Sequence, residues 1–444
     1  MPDILGSVEN QWSKVVAMKN RACAFEFQNN NANLAVMMRQ CMPHLLSHIH
    51  FLKPSIINNK TTKHDTIQKR EHIVWIDVCR LVAMVMVIGV YCIDPFYISP
   101  TLGKMPEYVH WAAVYGSLFR PSVPLFVMMT GLLLLPVGEM TIKEFYKKRI
   151  LRILWPMLIW SVLYNIFPYL TGLCGLPKEI IGQFFCYVQG NETQALGASL
   201  HDVAMIPLQF SFKENHMWYM YLLIGLYLYM PFFSAWIEKY GRDAQRLFLM
   251  LWGVSLFLSY ASAYISHYLF GEATWNAYGT FYYFAGFSGY LLLGHFMKHG
   301  TGMSTVRTLL VAAAFFAVGY AVTYTGFNAA AADPESTESD MELYFQFCSP
   351  NVVIMTIAVF MVLQKVSISS ALLKKLLATM PKYGFGIYIV HYFIVGPVFL
   401  VMPYFHLPIP LQVPVMAVII FVIAYAFTWM MFKLLGRKAK YIMG

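Results

Sequence analysis

An arginine and a tyrosine stand eleven residues apart in WIDVCRLVAMVMVIGVYCIDP (75–95), a stretch that is otherwise almost wholly apolar. On a helix, eleven steps of 100° come to about 1100°, roughly 20° past three full turns, so Arg80 and Tyr91 share one face about 16 Å apart. Asp77 falls on that face one turn before Arg80, and Asp94 lies one turn beyond Tyr91. A guanidinium inside an apolar helix costs a few kcal/mol, so it normally faces protein or a watery cavity and finds a partner. Asp77, at i,i+3, is the nearest one. The plainer alternative is an arginine that snorkels to the cytosolic headgroups. The full stripe of polar groups points instead to a pocket or pore along one side of this helix.

Three further segments carry side chains with chemical reach. In YKKRILRILWP, Arg149 and Arg152 are spaced i,i+3 at the start of an apolar run. They suit either ordinary charge anchoring or the clamping of phosphates, because the guanidinium fork binds oxygen pairs. In NHMWYMYLLIGLYLYMP, His216 and Trp218 open an apolar run, as an interfacial anchor or as part of an acceptor site with a ring for stacking. In GFGIYIVHYF, Tyr388 and His391 lie one turn apart within another run. An imidazole at that depth faces the interior more often than the acyl chains.

The elements that must hold these groups are membrane helices. Of the 444 residues, 58% are hydrophobic and only 12% charged, about half the charge of an average soluble domain. Ten apolar windows are long enough to cross a hydrocarbon layer of about 30 Å. They fall near 73–93, 111–136, 151–171, 216–236, 247–268, 278–297, 307–326, 346–364, 383–403 and 411–435. Their apolar runs are continuous and do not alternate, which excludes a β-barrel. The expected fold is therefore an all-α, polytopic bundle of about ten transmembrane helices.

Alternate loops carry the basic residues, as in KEFYKKRILR, EKYGRDAQR and QKVSISSALLKK, whereas NAAAADPESTESDME (328–342) is acidic. Lys and Arg gather on the cytoplasmic side, so both termini are expected in the cytosol and loop 328–342 outside. The net charge of +10 is then topology information and not a nucleic-acid footprint. Residues 1–72 are Asn-rich and polar, and read as a cytosolic extension, disordered or added by a start site placed upstream. Residues 73–436 form the transmembrane domain, and 437–444 a basic cytosolic tail. The seven cysteines include no CxxC pair, so no metal site is expected. Cys174 and Cys186 share the long loop 172–215 and could pair there. That loop could also cover or line an acceptor site.

Taken together, WIDVCRLVAMVMVIG, RPSVPLFVMMTGLLLL, FYKKRILRILWPMLIW, HMWYMYLLIGLYLYMP and GFGIYIVHY resemble, in this order over about 73–435, the acyltransferase 3 family. These are integral membrane O-acyltransferases acting on surface carbohydrates. The resemblance implies a multi-pass protein of the cell inner membrane that moves an acetyl or other short acyl group from cytosolic acyl-CoA to a glycan or glycolipid hydroxyl. Acyl-CoA is a cosubstrate, with no bound cofactor and no nucleic-acid partner, and a homo-oligomer is compatible with that picture. The family's R-x-x-R pair maps onto Arg149 and Arg152, taken to hold the donor. Its Arg, ten residues and His in the first span map onto Arg80 and, at the histidine position, Tyr91. A phenol titrating near 10 is a poor base where an imidazole near 6.5 is a good one. His391 is the candidate to take over, so Arg80, Tyr91 and His391 form the expected catalytic set. Asp77, Arg120 at the head of the second segment, His216, Trp218 and Tyr388 are the expected substrate contacts. The competing readings are a catalytically weakened relative that only binds, and a polysaccharide or lipid transporter. No internal repeat favours the transporter.

Overall fold

A computed structural model describes residues 74–99, 102–177, 195–266 and 268–444. The expected extension 1–72 and the Cys186 half of the Cys174–Cys186 pair lie outside the described residues. In chain order the helices are α1 Val74–Ile98, α2 Pro106–Phe119, α3 Ser122–Leu134, α4 Ile142–Leu173, α5 Leu196–Met205, α6 Trp218–Ser255, α7 Leu258–Tyr264 and α8 Ser288–Phe296. They continue as α9 Thr305–Ala332, α10 Glu338–Glu342, α11 Pro350–Leu363, α12 Ala371–Leu377, α13 Met380–Val401, α14 Ile409–Leu435 and α15 Ala439–Met443. Among the described residues the sole β-pairing is an isolated bridge between Ala273 and Asn276. The fold is an all-α helical bundle of a multi-pass membrane protein.

Local chemistry sets several helix starts. Thr141 caps α4 by accepting from the Glu144 amide at 3.3 Å, while the Glu144 carboxylate accepts from the Thr141 amide at 3.1 Å. This reciprocal box satisfies donors that a helix N-terminus otherwise leaves open. Ser304 caps α9 through the Arg307 amide. Pro106 and Pro350 open α2 and α11, where the missing N–H costs nothing.

Eight helical stretches among the described residues are long and apolar enough to span a membrane, against ten apolar windows in the sequence. Windows 216–236 and 247–268 fall in one stretch, 212–264, which kinks at Gly241 (φ 68°, ψ −162°), a conformation that glycine alone adopts without strain. Window 278–297 is not a spanning helix. Positive-φ backbone at Tyr278, Gly279 and Gly286 interrupts it, leaving the short 3-10 helix Gly279–Phe284 and the nine-residue α8.

α8 is instead a buried strut against α3. A Cβ at Gly131 would sit 1.8 Å from the Leu291 carbonyl oxygen, and one at Gly294 would sit 2.0 Å from that of Met128. The two glycines let the two backbones touch, the usual device for close helix packing where lipid removes the hydrophobic drive between helices. α1 packs against α2, α3, α11, α13 and α14, and so forms the centre of the bundle. Peripheral α9 has only 17% of its apolar window buried, against 61% for α1. Its exposed Leu309, Leu310, Phe315 and Val318 form the kind of surface that lipid covers.

Candidate active site: two cavities that meet at Tyr388

The central helix places its stripe as its periodicity requires. Arg80 and Met84 line one cavity; Val87, Tyr91, Asp94 and Tyr97 line another. The expected single passage is therefore divided. Tyr388 lines both cavities, and its hydroxyl donates to the backbone carbonyl of His216. The ring stands between the two cavities, tethered by its hydroxyl.

The first cavity has a volume of about 240 Å³. Its polar groups include Arg80, Arg149, Thr130 and Tyr227, and its walls are methionine-rich: Met84, Met129, Met220 and Met380. Arg80 hydrogen-bonds Asp77 one turn back. The aspartate is fully buried and the arginine 25% exposed, so the pair neutralises the charge while the guanidinium still reaches the cavity. Arg149 and Arg152 both lie within electrostatic reach of the Tyr227 hydroxyl. Only Arg149 lines the cavity; Arg152 is exposed at the helix surface. A cavity with guanidinium groups and flexible apolar walls suits an anionic head carrying a slender apolar arm.

Behind the partition lies a cluster of rings that three distant segments bring together. Tyr91 lies 5.3 Å from His391 and 6.5 Å from His216, centroid to centroid, and the two imidazoles are 5.4 Å apart. His216 stacks on Tyr392 at 4.8 Å. His216 is wholly buried, because the Ser211–Met217 turn folds inward. Buried Glu214 accepts from Asn165 of α4 at 3.0 Å, and the Ser211 hydroxyl donates to Asn165 at 2.7 Å. On α13, the Tyr164 hydroxyl accepts from the Phe393 amide at 3.1 Å and donates to the Ile389 carbonyl at 2.9 Å. A side chain from α4 thus bridges both ends of one helical turn beside the histidine.

Hydrogen bonding fixes the protons of the two imidazoles. His391 Nδ1 faces the Tyr388 carbonyl, and His216 Nε2 faces the Ile389 carbonyl at 3.2 Å. A carbonyl only accepts, so each of these nitrogens carries the hydrogen. The remaining atoms, His391 Nε2 and His216 Nδ1, are buried with no hydrogen-bond partner. An oriented imidazole with a bare nitrogen is the arrangement of a general base. His391 is wholly buried and does not line either cavity, whereas Tyr91 lines the second. Tyr91 thus stands at the cavity and the His391 ring packs behind it.

The second cavity measures about 270 Å³ and adds Arg120, Ser122, Asn215, Trp218 and Glu342 to the residues of α1. Trp218 is within hydrogen-bonding reach of the Tyr91 hydroxyl and stacks on Phe347 at 5.7 Å. Arg120 donates to the Phe345 carbonyl at 3.3 Å and lies 3.9 Å over that residue's ring.

Every expected site residue except Arg152 thus lies in or beside the two cavities. Asp77 and Arg80 are at the first, His216 and His391 are in the ring cluster, and Tyr91, Arg120 and Trp218 are at the second. Sequence reading missed Glu342, Ser122, Asn215 and Tyr164 as site residues. Glu342 was visible only as part of an acidic loop, and Asn215 only as the neighbour of His216.

Comparison with known proteins adds one finding. A family model described as an acyltransferase domain matches residues 73–432. No curated protein and no solved structure matches the chain. The match takes in α1 through most of α14, with both cavities inside it, and the chain belongs to the acyltransferase 3 family of membrane acyltransferases.

Proposed function

We propose that the protein transfers an acetyl or other short acyl group from cytosolic acyl-CoA to a hydroxyl of a cell-surface glycan or glycolipid, with both termini in the cytosol of a cell whose inner membrane it spans. The observation that carries this reading is the shared wall. One cavity is edged by Arg80 and Arg149, the other by Tyr91, Asp94 and Trp218, and Tyr388 belongs to both. A donor on one side and an acceptor on the other would meet at that ring.

Arg149 holds the donor's phosphates from within the cavity and Arg152 supports them from its rim. Arg80, oriented by Asp77, binds the donor's arm; at about three helical turns from Tyr91 it stays outside the proton path. The acceptor rests against Trp218 and Arg120. Its oxygen attacks the thioester carbonyl as its proton passes to the Tyr91 oxygen and the Tyr91 proton passes to His391 Nε2. In such a relay the phenol never has to hold a negative charge, which removes the objection to tyrosine as a base. The tetrahedral intermediate then collapses, the C–S bond breaks, and the thiolate takes up the proton held by His391. His216 holds Tyr388 and completes the wall of the ring cluster. No metal or bound cofactor enters the scheme, and acetyl-CoA is the expected cosubstrate.

The test is incubation of purified protein with labelled acetyl-CoA and membrane glycolipids. Label transferred to the glycolipid supports the reading. Binding of acetyl-CoA with neither transfer nor hydrolysis would favour the weakened relative, in which Tyr91 marks lost catalysis. Movement of intact glycolipid across the bilayer without acyl-CoA would favour the transporter.

A further inference from the structure

The second cavity is charged, and its charge has a sign. Among the described residues that line it, Arg120 is the sole cation, set against the carboxylates of Asp94 and Glu342. Much of the arginine's capacity is already engaged. It donates to the Phe345 carbonyl, lies over the Phe345 ring and stands 4.0 Å from Glu342. Glu342 also accepts from the Tyr97 hydroxyl at 2.5 Å. The segment 333–342 that delivers it reads DPESTESDME, five acids and no base.

Two donors buried in the wall of this cavity are unsatisfied. The Ser122 hydroxyl belongs to a fully buried residue and has no hydrogen-bond partner, and the Nε of buried Arg120 has none either. Buried polar groups are almost always paired, so an orphaned hydroxyl and guanidinium nitrogen in a cavity wall favour an occupant that brings oxygen within their reach. The inventory is then complete for a polyol: Ser122 and Arg120 donate to its oxygens, and Asp94 and Glu342 accept from its hydroxyls. A carboxylate or phosphate on the same molecule would instead meet two carboxylates in a half-buried site, where like charges repel most strongly.

Resting on the acceptor role proposed above, we infer that this cavity selects a neutral or cationic sugar, such as a plain hexoside or an amino sugar, and turns away uronic acids and phosphosugars. Glu342 is the specificity-determining residue, because it reaches in from a separate acidic segment and is partly exposed.

The experiment uses the full chain in nanodiscs with three probes of one ring size: methyl glucoside, methyl glucosaminide and methyl glucuronide. Thermal stabilisation by each sugar is read first, then label transfer from acetyl-CoA. The glucoside and glucosaminide should stabilise the protein at concentrations on the order of tenfold below those the glucuronide needs. The amide of Glu342→Gln keeps the hydrogen bond to Tyr97 and removes the charge, so this variant should narrow the gap by improving the glucuronide. Ser122→Ala should weaken all three sugars alike. Equal stabilisation by the three, stabilisation by none, or a gap that Glu342→Gln leaves intact overturns the inference. Absence of acetyl transfer to any sugar, with the charge preference in stabilisation still present, would count against the acyltransferase scheme and not against the selectivity.

Discussion

If Tyr91 and His391 act in series, removing both should cost no more than removing either. The perturbations are Tyr91→Phe and His391→Asn. Phenylalanine keeps the ring that packs 5.3 Å from His391 and 5.3 Å from Tyr392. The asparagine amide keeps a donor for the Tyr388 carbonyl that His391 Nδ1 faces, and loses only the bare Nε2. Each variant should therefore fold and insert. General-base assistance is worth about 10²- to 10⁴-fold, equivalent to about 2.7–5.4 kcal/mol of barrier, and each single variant should lose that much in kcat. The KM for acetyl-CoA should hold, because Arg80 and Arg149 line the other cavity. In the double variant the loss should match the single losses, since groups that act as a unit are strongly non-additive. The assay is thiol release from acetyl-CoA in the presence of an acceptor, with a melting curve for each variant as the folding control. Losses that multiply in the double variant would refute the relay. So would a His391→Asn enzyme of normal kcat, which would leave Tyr91 acting alone.

Other outcomes follow from the same geometry. Arg149→Ala should raise the acetyl-CoA KM about tenfold or more, and Arg152→Ala clearly less, because only Arg149 lines the cavity; lysine at 149 should restore part of the loss. Equal effects in donor titrations would place both guanidinium groups on the phosphates. Gly131→Ala should cost about 3 kcal/mol or more of stability, because its Cβ would sit 1.8 Å from the Leu291 oxygen, whereas Gly225→Ala, with no atom within 4 Å, should melt like the parent protein. A cysteine at Ser336 should react with an impermeant thiol reagent on intact cells. Labelling only after lysis would reverse the proposed orientation.

Helix content and the central stripe were legible because both rest on period and hydropathy, which are local. Arg80, Tyr91 and Asp94 could be set on one face by counting residues, and Asp77 could be named as the partner of Arg80. What counting could not show is that a side chain from elsewhere, Tyr388, divides that face between two cavities. Nor could it show that His216 and His391, 175 residues apart in the sequence, would pack around one phenol. That meeting depends on the inward turn held by Glu214 and Asn165, a tertiary contact with no sequence signature. The window 278–297 misled for a related reason: average hydropathy does not register the positive-φ residues that stop a helix. Glu342 was hidden because an acidic loop reads as solvated until the fold carries its last residue into the bundle.

Tyr388 has a consequence for the membrane as well as for the substrates. A bilayer that holds a voltage works as a capacitor, and each elementary charge that crosses releases about 2.3 kcal/mol per 100 mV. A continuous file of polar groups from Arg80 to Asp94 would offer protons a conducting wire and discharge it. With its hydroxyl tied to the His216 carbonyl, the Tyr388 ring would serve as the insulator in that wire. The protein can then present polar groups at both ends of one helix without short-circuiting the membrane that contains it.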